Sequence, residues 1–204
     1  MKSYPSIPRE VRSDLPVFVF DKLDGSNIRA EWCPRRGFWR FGTRRRLLDP
    51  HHPVFGAAPA LIRARYGDAL DAALRPLGPA VCFFEMHGPG SFAGQHVEEP
   101  HEVCLLDVDL RGRGILPPQD FLRHFGHLPH PAVLHRGPVD AAFVEAVRGG
   151  ALPGMGREGV VCKGEVLSKR GRPRLVQFKI KRRDWLAALK ERCGGDEALF
   201  RRLA

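Results

Sequence analysis

Alternating apolar and polar residues in the first half of the chain predict β-strands. Three short runs form a predicted meander, joined by the turn-forming segments LDGS and CPRRG. Two longer apolar runs flank the Gly-rich segment HGPGSFAGQHVEEP, and GVVCKG with RLVQFKIK predicts a further hairpin. The predicted strands are residues 17–20, 27–32, 37–41, 80–86, 102–110, 159–164 and 174–181.

Helical spacing of apolar residues occurs between and after these strands. It is clearest over 57–75, where Leu61, Ile62, Leu70 and Leu74 recur at helical intervals. Shorter helices are predicted at 118–126 and 139–148, and an amphipathic helix at 184–204, broken near Gly194 and Gly195. Strands interrupted by helices predict an α+β fold with antiparallel β-sheets flanked by helices. We expect residues 1–204 to form a single domain.

Composition and charge restrict the class of function. The 204 residues include 33 basic and 23 acidic side chains, a net charge of +10 that favours polyanionic partners such as nucleic acid. A solubilising surface is the alternative reading of this charge. The five cysteines form no CxxC pair, and their odd number in a chain of this length argues against a disulfide framework. No apolar run approaches 18 residues, so we expect a cytoplasmic protein with no membrane association.

Candidate chemistry begins at FDKLDGSNIRA, where Lys22 ends an apolar strand. A lysine at a strand end is usually a solvated edge residue, and one K-x-D-G motif carries little specificity. Other polar groups also stand near strand ends. These groups are Arg44 in FGTRRR, Glu85 in FFEMHG, Glu158 in EGVVCKG, and Lys179 with Lys181 in VQFKIK. Lys179 and Lys181 are two residues apart, which places them on one face of a strand.

Taken in this order, the segments resemble the nucleotidyltransferase motifs of the covalent ligase and capping-enzyme superfamily. The similarity covers residues 17–181 and is closest to ATP-dependent RNA ligases, because FEMHGPGSFAGQH is followed by LLDVD. The resemblance implies the nucleotidyltransferase fold, an ATP-grasp-like ligase core. It also implies that Lys22 attacks the α-phosphate of ATP to form lysyl-AMP, that the AMP passes to an RNA 5′-phosphate, and that a 3′-OH displaces it in RNA repair.

The same resemblance implies roles for individual residues. Asp24 and Glu158 would hold Mg²⁺ or Mn²⁺, Glu85 would accept a hydrogen bond from the ribose, and Gly25 would permit the turn after the strand. Leu106 stands where relatives often place an aromatic that stacks on adenine, and Val160 or Val161 would supply the other apolar face. Either Arg44 or Arg45 would point inward. The implied catalytic residues are Lys22, Lys179, Lys181 and Arg44, and the implied nucleotide-binding residues are Lys22, Leu23, Asp24, Gly25, Arg44, Glu85, Leu106, Glu158, Val160, Lys179 and Lys181.

A nucleophilic lysine must be neutral, yet the free side chain has a pKa of about 10.4. Lowering it to neutrality requires roughly 4.6 kcal/mol at about 1.36 kcal/mol for each pH unit. One like charge at about 5 Å supplies roughly 3 kcal/mol at an effective dielectric constant near 20. A cluster of Lys179, Lys181 and Arg44, with partial burial and a divalent cation, is therefore the expected means of activation.

Only 23 residues (204 − 181) follow Lys181, so we expect no oligonucleotide-binding (OB) domain. RNA with 5′-phosphate and 3′-OH ends would be held by the domain's own surface or through a partner protein. The basic segments PRRG, TRRR, KRGRPR and KIKRR are candidate phosphate contacts, and Trp32, Trp39 and Trp185 are candidate stacking platforms. The alternatives are a DNA or DNA–RNA nick-sealing ligase, a capping-type guanylyltransferase and a non-catalytic RNA-binding module.

Overall fold

The computed structural model describes residues 1–90, 98–167, 171 and 173–204. Contacts among these residues divide the chain into two compact units, which interleave in sequence. Unit 1 comprises Met1–Ser6 and Gly25–Pro131, and unit 2 comprises Ile7–Asp24 and Ala132–Ala204. Each unit contains one antiparallel sheet with helices, which confirms the α+β prediction. The assignment of 1–204 to a single domain stays a prediction.

Unit 1 is built on a five-stranded sheet in the order β3-β2-β4-β5-β6. Helix α1 buries Ile62, Tyr66, Leu70 and Leu74, which recur every four residues, in the same apolar cluster as the inward-facing sheet residues. Its elements are β2 (Ser26–Cys33), β3 (Gly37–Thr43), α1 (Ala58–Leu74), β4 (Ala80–His87), β5 (Glu102–Leu110), β6 (Gly114–Ile115) and α2 (Pro118–Phe125).

Unit 2 is built on a four-stranded sheet in the order β7-β1-β8-β9. One face of this sheet packs against Val144 and Val147 of helix α3 through alternate residues such as Val19, Cys162 and Phe178. Its elements are β1 (Val17–Asp21), β7 (Val133–Gly137), α3 (Ala141–Arg148), β8 (Gly159–Leu167), β9 (Pro173–Lys181), α4 (Arg183–Arg192) and α5 (Glu197–Leu203).

The predicted strands and helices correspond to elements of this list, and the break near Gly194 separates α4 from α5. Strands β6 and β7 are additional to the prediction. Part of the predicted Gly-rich loop, residues 91–97, lies outside the described residues, as do 168–170 and 172 of the KRGRPR region. In the described ranges, no helix is both long and apolar enough to cross a membrane.

Gly25 begins the second and longer segment of unit 1, and the structure corrects the physical reason for a glycine at this position. It is absent from the glycines with positive φ, so a left-handed turn does not require it. A Cβ at this position would instead lie 2.4 Å from the backbone oxygen of Met86 on β4 and 3.1 Å from Cγ of Glu85. Glycine therefore permits the close approach of the chain entering β2 to the end of β4.

We expect Gly25→Ala to destabilise the protein by about 1–3 kcal/mol, because backbone atoms of β4 must move away from the added methyl group. Gly67→Ala is the matched control, since Gly67 lies within α1 with no atom within 4 Å of an added Cβ. There the same change should stabilise by about 0.5–1 kcal/mol through helix propensity. Urea denaturation of both variants measures the two effects, and equal midpoints would contradict the steric account of Gly25.

Candidate active site

One face of the unit 2 sheet carries the three lysines predicted to be catalytic. The strand register aligns Phe20, Val161 and Lys179 across β1, β8 and β9, so these side chains share the face opposite the α3 core. Lys22 follows Phe20 by two residues, and its backbone N–H donates to the carbonyl oxygen of Gly159 at 2.9 Å. The amine of Lys22 therefore stands at the end of β1, on the side of the sheet that bears Lys179 and Lys181.

The Glu158 carboxylate binds two lysines at once. Its Oε2 lies 2.8 Å from Nζ of Lys22, and its Oε1 lies 2.5 Å from Nζ of Lys181. The Glu158 and Lys181 side chains are 4% and 3% exposed, whereas that of Lys22 is 19% exposed. Of the two amines held by this carboxylate, that of Lys22 is thus the one accessible to a reactant.

Trp185 of α4 connects this ion pair to Asp24. The Nζ atom of Lys181 lies 4.0 Å from the centre of the indole ring and donates a hydrogen bond to the carbonyl oxygen of Leu203 at 3.2 Å. The indole Nε1–H donates to Oδ2 of Asp24 at 3.0 Å. Asp24 and Lys22 are therefore held by a continuous chain of contacts that runs through Trp185, Lys181 and Glu158.

Burial makes the two β9 lysines easier to deprotonate. It lowers the pKa of Lys179 to about 8, and the nearby charges of Lys181, Lys22 and Arg9 act in the same direction. Burial likewise lowers the pKa of Lys181 to about 8, while the Glu158 carboxylate opposes that change. This cationic cluster is suited to a polyanion, because a bound phosphate group restores the favourable environment that each ammonium lost on burial.

Hydrogen bonds anchor the segment that precedes β8 and thereby fix the position of Glu158. The Gly156 N–H donates to Oδ1 of Asp21 at 2.7 Å, and Arg182 donates to the carbonyl oxygen of Gly156 at 3.2 Å and, through its backbone N–H, to that of Glu158 at 3.0 Å. Burial raises the pKa of the Asp21 carboxyl group, and the bond from Gly156 acts against that shift. The Gly-rich GMGREG sequence is therefore a turn that presents Glu158 to Lys22.

Trp185 and Asp21 were not among the site residues predicted from the sequence. Asp21 lies next to Lys22 but continues the strand alternation, and nothing in its surroundings along the chain distinguishes it from a strand-end acid. Trp185 follows Lys181 by four residues in KIKRRDW, and the sequence alone makes it only a candidate stacking platform. Its nearness to a lysine was the one available signal.

Of the two valines predicted to face the purine, only Val161 shares the lysine face. Val160 is fully buried in the apolar cluster with Ile180, on the α3 side of the sheet. The inclusion of Val160 in the binding set is therefore corrected to Val161, because alternate residues of a strand point to opposite faces. Leu23 is partly buried between Lys22 and Asp24.

The other predicted contacts belong to unit 1, and their roles stay predictions. Arg44 and Arg45 are both exposed at the end of β3, so exposure does not distinguish them. Glu85 is partly buried on β4, in register with Asn27 and Cys104. Leu106 is the extra residue of a β-bulge, because Phe83 pairs with Asp107 whereas Phe84 pairs with Leu105.

Asp24 and Glu158 are the carboxylates predicted to hold a divalent cation. No group of three or more His, Cys, Asp or Glu side chains suited to a metal occurs among the residues that the structure describes. Mg²⁺ in phosphate chemistry is commonly held by one or two carboxylates, with water and phosphate oxygens completing its shell. In this structure both oxygens of Glu158 pair with lysines and Oδ2 of Asp24 accepts from Trp185, so the metal role of these two residues stays a prediction.

Comparison with known proteins identifies the fold. The chain matches a candidate ATP-dependent DNA ligase from Aquifex aeolicus with a TM-score of 0.63 and 19% identity, over 100% of this chain and 57% of that one. It matches the Naegleria gruberi RNA ligase with PPi at a TM-score of 0.61 and 16% identity, over 87% and 52%. A variant of that RNA ligase with ATP and Mn gives a TM-score of 0.58 and 16% identity, over 85% and 51%.

No protein-family model and no curated protein sequence matches the chain. The match covers little more than half the length of each of the solved ligases that the chain resembles. Its fold is that of the nucleotidyltransferase-type ATP-dependent ligases, as the sequence motifs implied. The part of the chain that the structure describes contains no OB domain.

The Glu158 carboxylate should hold a proton on Lys181. We expect Glu158→Gln to move the pKa of Lys181 further below about 8, because its neighbouring negative charge is the main influence that opposes burial. Titration of the lysine ¹³Cε signals by NMR measures this pKa, and Lys181→Arg assigns the signal. Glu165→Gln, which removes an exposed carboxylate from β8, the strand that follows Glu158, is the control. An unchanged or higher Lys181 pKa in Glu158→Gln would be inconsistent with this ion pair.

Proposed function

We propose that this chain is an ATP-dependent RNA ligase that forms a covalent lysyl-AMP at Lys22. The observation that carries the proposal is the partly exposed Lys22 amine on the buried Glu158 carboxylate, beside two lysines of depressed pKa. A structural lysine at a strand end has no need of this surrounding network. The fold supports the proposal, since the solved proteins that share it include ligases with ATP and Mn or with PPi.

In the proposed first step, the partly exposed Lys22 ammonium gives a proton to solvent, and the neutral Nζ attacks the α-phosphorus of ATP. The new N–P bond forms as the bond to the leaving oxygen breaks, so pyrophosphate departs with the electron pair. Lys179 and Lys181 would stabilise negative charge that develops on the phosphate oxygens. The AMP would then pass to an RNA 5′-phosphate, and a 3′-OH would displace it to join the strands.

Glu158 has two tasks in this proposal. Before nucleotide binds, it accepts hydrogen bonds from Lys22 and Lys181 and stabilises both as ammonium ions. Its hold on Lys22 must weaken before the amine can react. Asp24 and Glu158 are the residues that would hold Mg²⁺ or Mn²⁺, which when bound would supply positive charge beside the amine and the triphosphate.

Nick sealing on DNA is the second candidate function. The Aquifex aeolicus match favours it, because that protein is a candidate DNA ligase and the match extends over this whole chain. Both candidates share the lysyl-AMP step at Lys22. They differ in which polynucleotide end receives the AMP, and in whether the 2′-OH of the sugar is recognised. We favour RNA on the motif resemblance described above.

We expect the protein to acquire acid-precipitable radiolabel from α-labelled ATP and Mg²⁺, and Lys22→Ala to abolish that label. Lys190→Ala, which removes an exposed lysine of α4, should label like the wild type. Label from GTP alone would instead indicate capping-type guanylyl transfer. The absence of label with either nucleotide would refute the enzymatic proposal and favour a binding module.

Joining assays on nicked duplexes then decide the substrate. With RNA flanking the nick, we expect more efficient sealing than with DNA flanking it. Mixed duplexes with a single ribonucleotide at the 3′-OH side or at the 5′-phosphate side locate the strand that is recognised. Equal sealing of all-DNA and RNA nicks would replace the RNA proposal with the DNA alternative.

The bond between Trp185 and Asp24 should assist lysyl-AMP formation. Trp185→Phe keeps a ring beneath Lys181 but removes the N–H donor, and a lost hydrogen bond to a charged group costs roughly 1.5–3 kcal/mol. We therefore expect adenylylation to slow by about 10- to 100-fold, with more Mg²⁺ needed for half-maximal rate. Trp185→Leu should be slower still. Wild-type Mg²⁺ dependence in Trp185→Phe would show that Asp24 needs no such support, provided that the thermal midpoints match.

A further inference from the structure

The β2–β3 hairpin of unit 1 carries an exposed tryptophan in a strongly basic segment. Trp39 is 37% exposed, although Trp32 on the adjacent strand is buried and bonded to Asp71 of α1. Residues 31–46 contain six arginines and one glutamate, a local net charge of +5. This segment, which extends three residues past the end of β3, therefore holds about half of the chain's net charge of +10.

A β-bulge turns the Trp39 side chain out of the alternation of β3. Glu31 pairs with Arg40 and Trp32 pairs with Phe38, which leaves Trp39 as the extra residue between them. Its neighbours Phe38 and Phe41 are buried, as strand residues of a packed sheet should be. Bulges on edge strands commonly redirect a side chain toward a function, and here the redirected group is a large apolar ring.

Two arginines pack on the exposed ring. The guanidinium carbon of Arg40 lies 4.2 Å from the ring centre of Trp39, and that of Arg36 lies 5.3 Å from it. Arg40 also reaches Glu31 at 3.5 Å, which fixes its direction. The indole thereby restricts two long side chains that would otherwise sample many rotamers, so less conformational entropy is lost when they bind a ligand.

The hairpin turn holds a third arginine beside this pair. The backbone N–H of Arg36 donates to the carbonyl oxygen of Cys33 at 3.2 Å, and Gly37 has a φ of +61°, which only glycine adopts readily. This tight turn projects Arg35 and Arg36 from its tip, and both side chains are exposed. Arg35, Arg36 and Arg40 thus form a cationic surface with one carboxylate, Glu31, close by.

We propose that this hairpin is a phosphodiester-binding surface for the nucleic-acid substrate, in which Arg35, Arg36 and Arg40 contact backbone phosphates and Trp39 holds the arginines in place. Guanidinium groups match phosphate geometry, and their side chains supply salt-dependent affinity for polynucleotides. The inference rests on the proposed function, since it takes nucleic acid as the substrate. It adds a surface formed by unit 1 alone.

The test measures binding of a fluorescein-labelled nicked RNA duplex by anisotropy, without ATP, over a range of salt concentrations. Each phosphate contact contributes about −0.9 to the slope of log K against log salt concentration. We expect the double variant Arg36→Ala with Arg40→Ala to bind at least 10-fold more weakly at about 0.1 M salt, with a slope smaller in magnitude by about 1.8. Trp39→Ala should also weaken binding and reduce the slope, because it frees both arginines.

The matched control removes two other arginines of the same unit. Arg75 directly follows α1 and Arg123 lies in the last turn of α2; both are exposed, and they pair with Asp71 of α1 and Asp120 of α2. Their double alanine variant has the same net charge as the hairpin variant and should bind within about twofold of the wild type. Equal weakening by both double variants would reduce the effect to net charge and overturn the proposal. Weaker binding in Trp39→Ala with an unchanged slope would overturn the role given to Trp39.

Failure of the hairpin proposal can be distinguished from failure of the proposed ligase function. If the wild type forms lysyl-AMP while the hairpin variants bind RNA normally, the hairpin proposal is wrong and the ligase proposal stands. If the wild type forms no lysyl-AMP but the hairpin variants lose binding selectively, the hairpin remains a nucleic-acid surface on a protein of another function. Thermal unfolding of each variant shows whether the sheet is intact.

Discussion

The buried carboxylate of Glu158 is the constraint on which the proposed active site depends. A carboxylate that is almost fully removed from water must be compensated, and here Lys22 and Lys181 compensate it on its two oxygens. Removing either lysine would leave a buried charge with less support, so the three positions constrain one another. The position of the Lys22 amine is consequently fixed by electrostatics at its tip as well as by the strand that carries it.

That constraint explains why several elements of unit 2 contact Glu158 or the residues that hold it. Glu158 precedes β8, and its turn is fixed by Asp21 and Arg182. Lys181 ends β9, and α4 begins two residues later, so that Trp185 contacts both Lys181 and Asp24. The sheet register sets the spacing of Lys22 and Lys181, and the ion pairs determine that both contact Glu158. A substitution that weakens one of these contacts would change the position of the Lys22 amine even where the substituted residue does not contact Lys22.

The sequence predicted the elements well because the relevant signals are local. The apolar runs VFVF and AVCFFEM and the VQFKIK pattern need no knowledge of distant residues. Their strands and the shared face of Lys179 and Lys181 are as predicted. Strand β7 was missed because VLHRG is short and half polar, and it pairs with β1 over a separation of more than a hundred residues. Trp185 and the choice of Val161 over Val160 depend on packing and register, which no local pattern encodes.

The same division between local and non-local information applies to charge. The sequence treated the site lysines as a repulsive cluster that would make Lys22 neutral, whereas the structure adds Glu158 as their shared counter-ion. An ion pair of this kind stabilises the ammonium forms of Lys22 and Lys181. Before a ligand binds, the site therefore combines repulsion among the lysines with attraction to Glu158. A ligand that competes for the carboxylate and brings phosphate to the lysines would change both interactions together. Activation of Lys22 would then be coupled to substrate binding, which protects the amine from reacting before ATP is in place.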